Sequence, residues 1–170
     1  MNEKTPEFYM KETLALAAEG IELGELPIAA IVVLNEEIIA SAITAERSEQ
    51  RFLVHAEQLA LEKADKLKPF PGNRRDVRLF TNLEPCLMCV GTAMSFFLEE
   101  IHYALESPAD GAIDLVRNWT RKGEDMPVYQ VPEITGGLLR EESIDLFEQY
   151  VIRYPASPLV DWVRTLIDLR

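Results

Sequence analysis

Cys86 and Cys89 are the only cysteines in the chain, and both lie in E-P-C-L-M-C at 84–89. If Pro85 opens a helix, the two side chains share one face in its first turn and can reach a single ion, while the positive helix end favours their thiolates. A redox C-x-x-C pair, or two buried thiols, has the same spacing. Upstream, V-H-A-E at 54–57 places His55, one of two histidines, and Glu57 at the start of another expected helix. Side chains at i and i+2 do not share a helix face, but in a first turn both lean toward the N-terminus and can converge beyond it. H-A-E with P-C-L-M-C supplies three N/S ligands and one nonligating carboxylate. That is the composition of a catalytic zinc site, which keeps a fourth position for water.

The elements that must hold these residues follow from periodicity and punctuation. Thr5 and Pro6 open a helix to about Glu22, and Gly24 ends it. P-I-A-A-I-V-V-L (27–34), a turn near Asn35-Glu36 and I-I-A-S-A-I (38–43) form a hairpin whose first strand is apolar enough for burial on both faces. A helix from about His55 to Leu67 is followed by an exposed loop at 68–76, the strand V-R-L-F-T-N, and a helix from near Pro85 to around Leu98. I-H-Y-A-L (101–105) is a strand, D-L-V-R-N-W falls in a helix, V-Y-Q-V (128–131) is a short strand, and 140–153 is helical. Ser157 and Pro158 start a last amphipathic helix bearing Leu159, Trp162, Val163 and Leu166. Interleaved elements imply an α/β/α sandwich around one mixed five-stranded sheet, with residues 1–154 as the domain and 155–170 as a helix packed on it or on a partner chain.

Composition sets the surroundings. With 170 residues, 48% hydrophobic, the chain can bury a sizeable core. No apolar run reaches the roughly 18 residues a bilayer span requires, and the N-terminus lacks a leader pattern, so the expectation is a cytoplasmic protein with no membrane partner. The formal charge of -12 repels phosphate backbones. A small substrate is favoured over a polyanion.

H-A-E and P-C-L-M-C resemble the signature of the zinc-dependent cytidine deaminase superfamily. The likeness is nearest to bacterial tRNA adenosine deaminases and the related guanine and cytosine deaminases. It extends to E-L-P-I-A-A-I-V-V at 25–33, similar to their pocket-floor strand, to T-N-L-E-P-C-L-M-C at 81–89, and to T-G-G-L-L-R-E-E at 135–142. The resemblance implies Zn2+ on His55, Cys86 and Cys89, with Glu57 carrying protons during hydrolytic loss of ammonia from an amino-substituted base or nucleoside. It also implies a homodimer. Glu84 is expected to serve as a cap or structural hydrogen-bond acceptor.

Departures from the family pattern bear on substrate. Eleven residues before the zinc histidine the family usually carries a substrate-binding asparagine, and Thr44 stands there. A hydroxyl cannot reproduce the planar donor and acceptor pair of an amide. The family's Val-Gly-Ala floor is Ile28-Ala29-Ala30, which adds a methyl group where a ring would rest. The expected substrate is therefore a small heterocycle, with wobble adenosine of tRNA as the alternative and a noncatalytic zinc-binding subunit as the other class. Arg74, Arg75 and Arg78, and Arg117, Arg121 and Lys122, are the segments that could meet phosphates, although a solvated face is the plainer expectation. His102 is read as a hydrogen-bonded, partly buried side chain and Trp119 as core packing.

Overall fold

A computed structural model describes residues 4–67 and 74–170. Helix α1 (Pro6–Leu23) begins where the Thr5 hydroxyl accepts a hydrogen bond from the Phe8 N–H and ends at Gly24, whose φ of 81° returns its own N–H to the last turn. The apolar run then forms β1 (Ala29–Leu34), whose two edges pair antiparallel with β2 (Glu37–Ile43) and β3 (Val77–Leu83) and whose two faces are each buried in a hydrophobic core. The hairpin turn is Asn35-Glu36 with φ of 49° and 64°, the twist that two-residue hairpins favour. Glutamate is an unusual choice there. Its carboxylate is held by the Tyr9 hydroxyl at 3.0 Å and by Arg78 at 2.8 Å, contacts that oppose the cost of the left-handed backbone.

Between β2 and the zinc-motif helix lies a four-residue helix, α2 (Glu46–Glu49), which the sequence reading lacks. Its first N–H groups, on Arg47 and Ser48, donate to the buried Glu25 carboxylate at 3.1 and 2.7 Å. Helix α3 (Ala56–Leu67) follows, with the His55 carbonyl accepting its first helical bond from Leu59. The expected loop at 68–76 lies largely outside the described residues.

After β3 comes α4 (Leu87–Ser95), shorter at both ends than expected. Cys86 is its N-cap, and Phe97 turns left-handed at φ 62°, which buries Phe96 and Leu98. The remaining elements are β4 (Glu100–Leu105), α5 (Ile113–Arg117), β5 (Glu133–Thr135), α6 (Arg140–Arg153) and α7 (Val160–Ile167). V-Y-Q-V is not a strand: Tyr129 closes a turn onto Met126, and Tyr129 and Val131 pack toward α5, while β5 forms two residues later by pairing with β4.

The sheet order is β2-β1-β3-β4-β5, with β3, β4 and β5 parallel. Helices α1 and α6 cover one face around Ile31, Phe80 and Leu146, and α3 and α4 cover the other around Val32, Leu61 and Leu79. This is the expected three-layer α/β/α sandwich on one mixed five-stranded sheet. Because β1 runs antiparallel to β3, the carboxyl ends of β2, β3 and β4 and the amino end of β1 share one edge. In open α/β sheets that edge is where ligands bind.

Side chains outside the sheet edge have structural contacts. His102 is 8% exposed, stacks on Phe80 with ring centroids 4.6 Å apart, and meets Glu100 at 2.9 Å. Trp119, expected in the core, is instead 41% exposed and packs edge-on against Tyr129. Arg74 does not sit on a solvated face: it is 5% exposed, pairs with Asp65 at 2.6 Å and lies over the Phe96 ring.

Candidate metal centre and active site

His55 and Cys86 each occupy the N-cap of a helix, and Cys89 lies one turn into the second. Two helix N-termini therefore aim at one point. Their partial positive charge favours the thiolate form of sulfur ligands. The His55 Nδ1 lies 3.6 Å from the Cys86 Sγ and 3.6 Å from the Cys89 Sγ, and the two sulfurs are 3.6 Å apart. A tetrahedral ion with Zn–S of about 2.3 Å and Zn–N of about 2.0–2.1 Å requires ligand separations of about 3.5–3.8 Å. The triangle fits zinc in donor type and in size. Among the described residues it is the single group of three or more such donors positioned to hold a metal ion.

The protons of these groups are shared unevenly. Its hydrogen bond with Cys89 lowers Cys86 to about 4, and its hydrogen bond with Cys86 raises His55 to about 9. Cys89 is pushed up, first by its hydrogen bond with Cys86 and then by burial. Metal binding draws on all three donors at the expense of these protons, as is usual for thiolate and imidazole sites. Glu57 is 4% exposed, and burial raises its carboxyl to about 7. A carboxyl near that value can both take up and release a proton close to neutrality.

Beside the triangle is a cavity of about 280 Å³. Ile28, Thr44, His55, Glu57 and Cys86 face it. Ala29 and Ala30 do not: both are fully buried in β1, in the core clusters on opposite faces of the sheet. The edge is braced by Asn82, whose side chain accepts from the Ala29 N–H at 2.8 Å and donates to the Pro27 carbonyl at 2.8 Å where the β1–β3 ladder has stopped. Glu84 is a structural acceptor as expected. Its two oxygens each take a backbone N–H at 3.0 Å, from Ser107 and Ile113, and so fix the loop after β4.

Glu46, Asp110, Leu159 and Trp162 also line this cavity, and they lie in segments that sequence reasoning did not bring to the site. They come from α2, the loop after β4 and the C-terminal segment. Nothing in local sequence joins them. The Glu46 carboxylate accepts from the Thr44 hydroxyl at 3.2 Å and lies 3.8 Å from the His55 Nε2, the nitrogen turned away from the sulfurs.

Residues 3–105 match the family model of the cytidine and deoxycytidylate deaminase zinc-binding region. The chain belongs to that family. Its chemistry is hydrolytic C–N cleavage on a nucleobase or nucleoside, and its zinc-binding motif is the triangle described above. The chain is 36% identical to the tRNA-specific adenosine deaminase of Bacillus subtilis over 138 residues, 80% of this chain and 82% of that one. It is 29% identical to the enzyme of the same name from Rickettsia felis, covering 85% of this chain and 99% of the relative. Among solved structures, one from a study of tRNA:A34 deaminases superposes with a TM-score of 0.67 at 26% identity, over 81% of this chain and 97% of that one. Guanine deaminase of Nitrosomonas europaea superposes at a TM-score of 0.67 and 22% identity, over 88% of this chain and 86% of that one, which shows a shared fold. Among the described residues no helix is long and apolar enough to cross a membrane.

Proposed function

We propose that this deaminase acts on a free amino-substituted base or nucleoside and that Glu57 is its proton carrier. The observation that carries this is the buried Glu57 carboxyl, which faces the same small cavity as His55 and Cys86 of the metal triangle. Zinc held by those three residues would supply Lewis acidity, making water a competent nucleophile near neutral pH. Glu57 takes one proton from the attacking water and delivers it to the ring nitrogen; it then takes the second proton from the added hydroxyl and passes it to the exocyclic amine. The ring carbon gains the water oxygen, the exocyclic C–N bond breaks, and ammonia leaves. Burial suits Glu57 to both halves of this relay because it holds the carboxyl near neutrality.

Charge supports a small substrate. The chain carries a formal charge of -12, and two of the arginines that could meet phosphate are spent internally. Arg74 pairs with Asp65, and Arg78 pairs with Glu36 while lying over the Tyr9 ring. The second reading is deamination of wobble adenosine in tRNA, favoured by the names of the relatives at 36% and 29% identity. Ammonia release from free bases, nucleosides and unmodified tRNA, measured on zinc-loaded protein, separates the two. Turnover of a base or nucleoside with little salt dependence is expected. Turnover confined to tRNA, falling steeply with ionic strength, would establish the second reading.

A further inference from the structure

The C-terminal helix reaches the cavity. Leu159 at its N-cap and Trp162 in its first turn both line the space that His55, Glu57 and Cys86 face. The helix is firmly seated: Val163 and Leu166 are fully buried against Phe147 and Tyr150 of α6. The Trp162 ring stands edge-on to Phe147 with centroids 6.5 Å apart. Polar ties add to this packing. Arg140 donates to the Leu169 carbonyl at 2.6 Å, the Tyr150 and Ser157 hydroxyls are 2.9 Å apart, and Arg170 reaches Asp145 and Glu148 at 2.5 and 2.9 Å. Trp162 is thus a fixed wall and not a mobile cover. The polar part of the lining includes Glu46 and Asp110, and among the described residues neither lysine nor arginine contributes to it. The Asp110 Oδ1 is taken by the Ser107 hydroxyl at 2.5 Å.

We propose that Trp162 and Leu159 form the specificity wall for the ring of a phosphate-free amino heterocycle, with Glu46 and Asp110 accepting hydrogen bonds from its N–H groups. This deepens the deaminase reading above and rests on it. An aromatic and an aliphatic side chain offer a planar ring dispersion contact at no cost in polar desolvation. Carboxylates accept but cannot donate, so they pair with ring N–H and amino groups and oppose a phosphate held beside them. A cavity of about 280 Å³ lies at the small end of ligand sites. A base or nucleoside fits that combination; a nucleotide or a polynucleotide brings its charge to an acidic rim.

The test uses fluorescence and does not depend on turnover. The chain has two tryptophans, so Trp119→Phe leaves Trp162 as the sole emitter, and Glu57→Gln in the same protein blocks turnover of the ligand. That zinc-loaded double variant is titrated with adenine, guanine, cytosine, their nucleosides and the matching 5′-monophosphates. A saturable change in Trp162 emission is expected with at least one base or nucleoside, with at least tenfold weaker binding of its 5′-monophosphate, an effect of about 1.4 kcal/mol. In the otherwise native enzyme, Trp162→Ala should raise KM for the best substrate about tenfold with kcat within about twofold. Leu159 is 42% exposed, so Leu159→Ala trims the wall without unseating the helix and should raise KM several-fold. No emission change with any unphosphorylated ligand, or monophosphates binding as tightly, would overturn the proposal. Ammonia release with a silent Trp162 would sink the wall and leave the deaminase reading standing. Emission changes without ammonia release by the native enzyme would do the reverse.

Discussion

The Thr44 hydroxyl donates to the Glu46 carboxylate at 3.2 Å and lies 3.3 Å from the Val54 carbonyl, with Thr44 only 3% exposed. The residue that replaces the family's usual asparagine is thus occupied within the protein, and the polar group its segment offers to the cavity is the carboxylate two residues on. Glu46 is placed there by Glu25, which anchors the N–H groups of Arg47 and Ser48.

Thr44→Val should therefore behave as the loss of a buried hydrogen bond, about 1 kcal/mol. A fall in Tm of about 2–4 °C is expected for a chain of this size, with zinc content unchanged. An unchanged Tm would show that the hydroxyl is not engaged with Glu46.

Removing one metal donor should empty the site. Cys86→Ala and His55→Ala are each expected to yield protein with little bound zinc in elemental analysis after mild chelation, since two protein donors hold the ion far less tightly than three. Full zinc content in Cys86→Ala would mean that the 3.6 Å triangle is not the metal centre.

Glu57→Gln separates proton transfer from metal binding. The amide fills the same buried volume but cannot carry a proton, so turnover should fall by at least about 100-fold while zinc is retained. Loss of zinc would place the carboxylate among the ligands, and unchanged turnover would assign the proton to another group.

The elements whose burial is local could be read from sequence alone. The apolar run at 27–34 gave a central strand because both of its faces meet core, and Thr5, Pro6 and Gly24 bounded α1 through caps that need no distant partner. The metal triangle was equally legible, since helix starts fix side-chain direction within one turn. Failures occurred where a tertiary bond decides. Helix α2 exists because Glu25 caps it from another segment, and β5 owes its three residues to register with β4 and not to its own alternation. The apolar alternation at 128–131 packs on α5 instead of pairing. Trp162 was visible only as part of an amphipathic stripe. That it reaches the cavity depends on where α6 seats the helix, which no local pattern records.

Gly111 is a position where the loop over the site has no room. A Cβ there would lie 2.3 Å from the Glu84 carboxyl carbon, and that carboxylate is held by the Ser107 and Ile113 N–H groups. Gly111→Ala must push Glu84 off both donors or move the loop that carries Asp110. A destabilisation of about 1–3 kcal/mol is expected from chemical denaturation, with unchanged zinc content because Cys86 and Cys89 sit on α4. Wild-type stability in this variant would show that Glu84 yields freely and does not fix the loop.

Glu106 and Arg140 should make the seating of the C-terminal helix sensitive to acid. Arg140 meets the Glu106 carboxylate at 2.5 Å and also donates to the Leu169 carbonyl, so the pair joins the end of β4, the start of α6 and the last residues of the chain. The hydrogen bond from Arg140 holds the Glu106 carboxyl below its ordinary value. A carboxylate with a lowered folded pKa stabilises the protein above the unfolded carboxylate range, and that stabilisation is lost as pH falls through the lowered value. The pair is partly exposed, so its contribution is at most about 1 kcal/mol. Glu106→Gln should accordingly lower Tm at pH 7 by about 2–4 °C, and the gap from the native protein should close as both are taken below the carboxylate range. A gap that persists undiminished in acid would mean that the glutamate acts through packing alone. A gap absent at every pH would mean that Val163 and Leu166 seat the helix without help from charge.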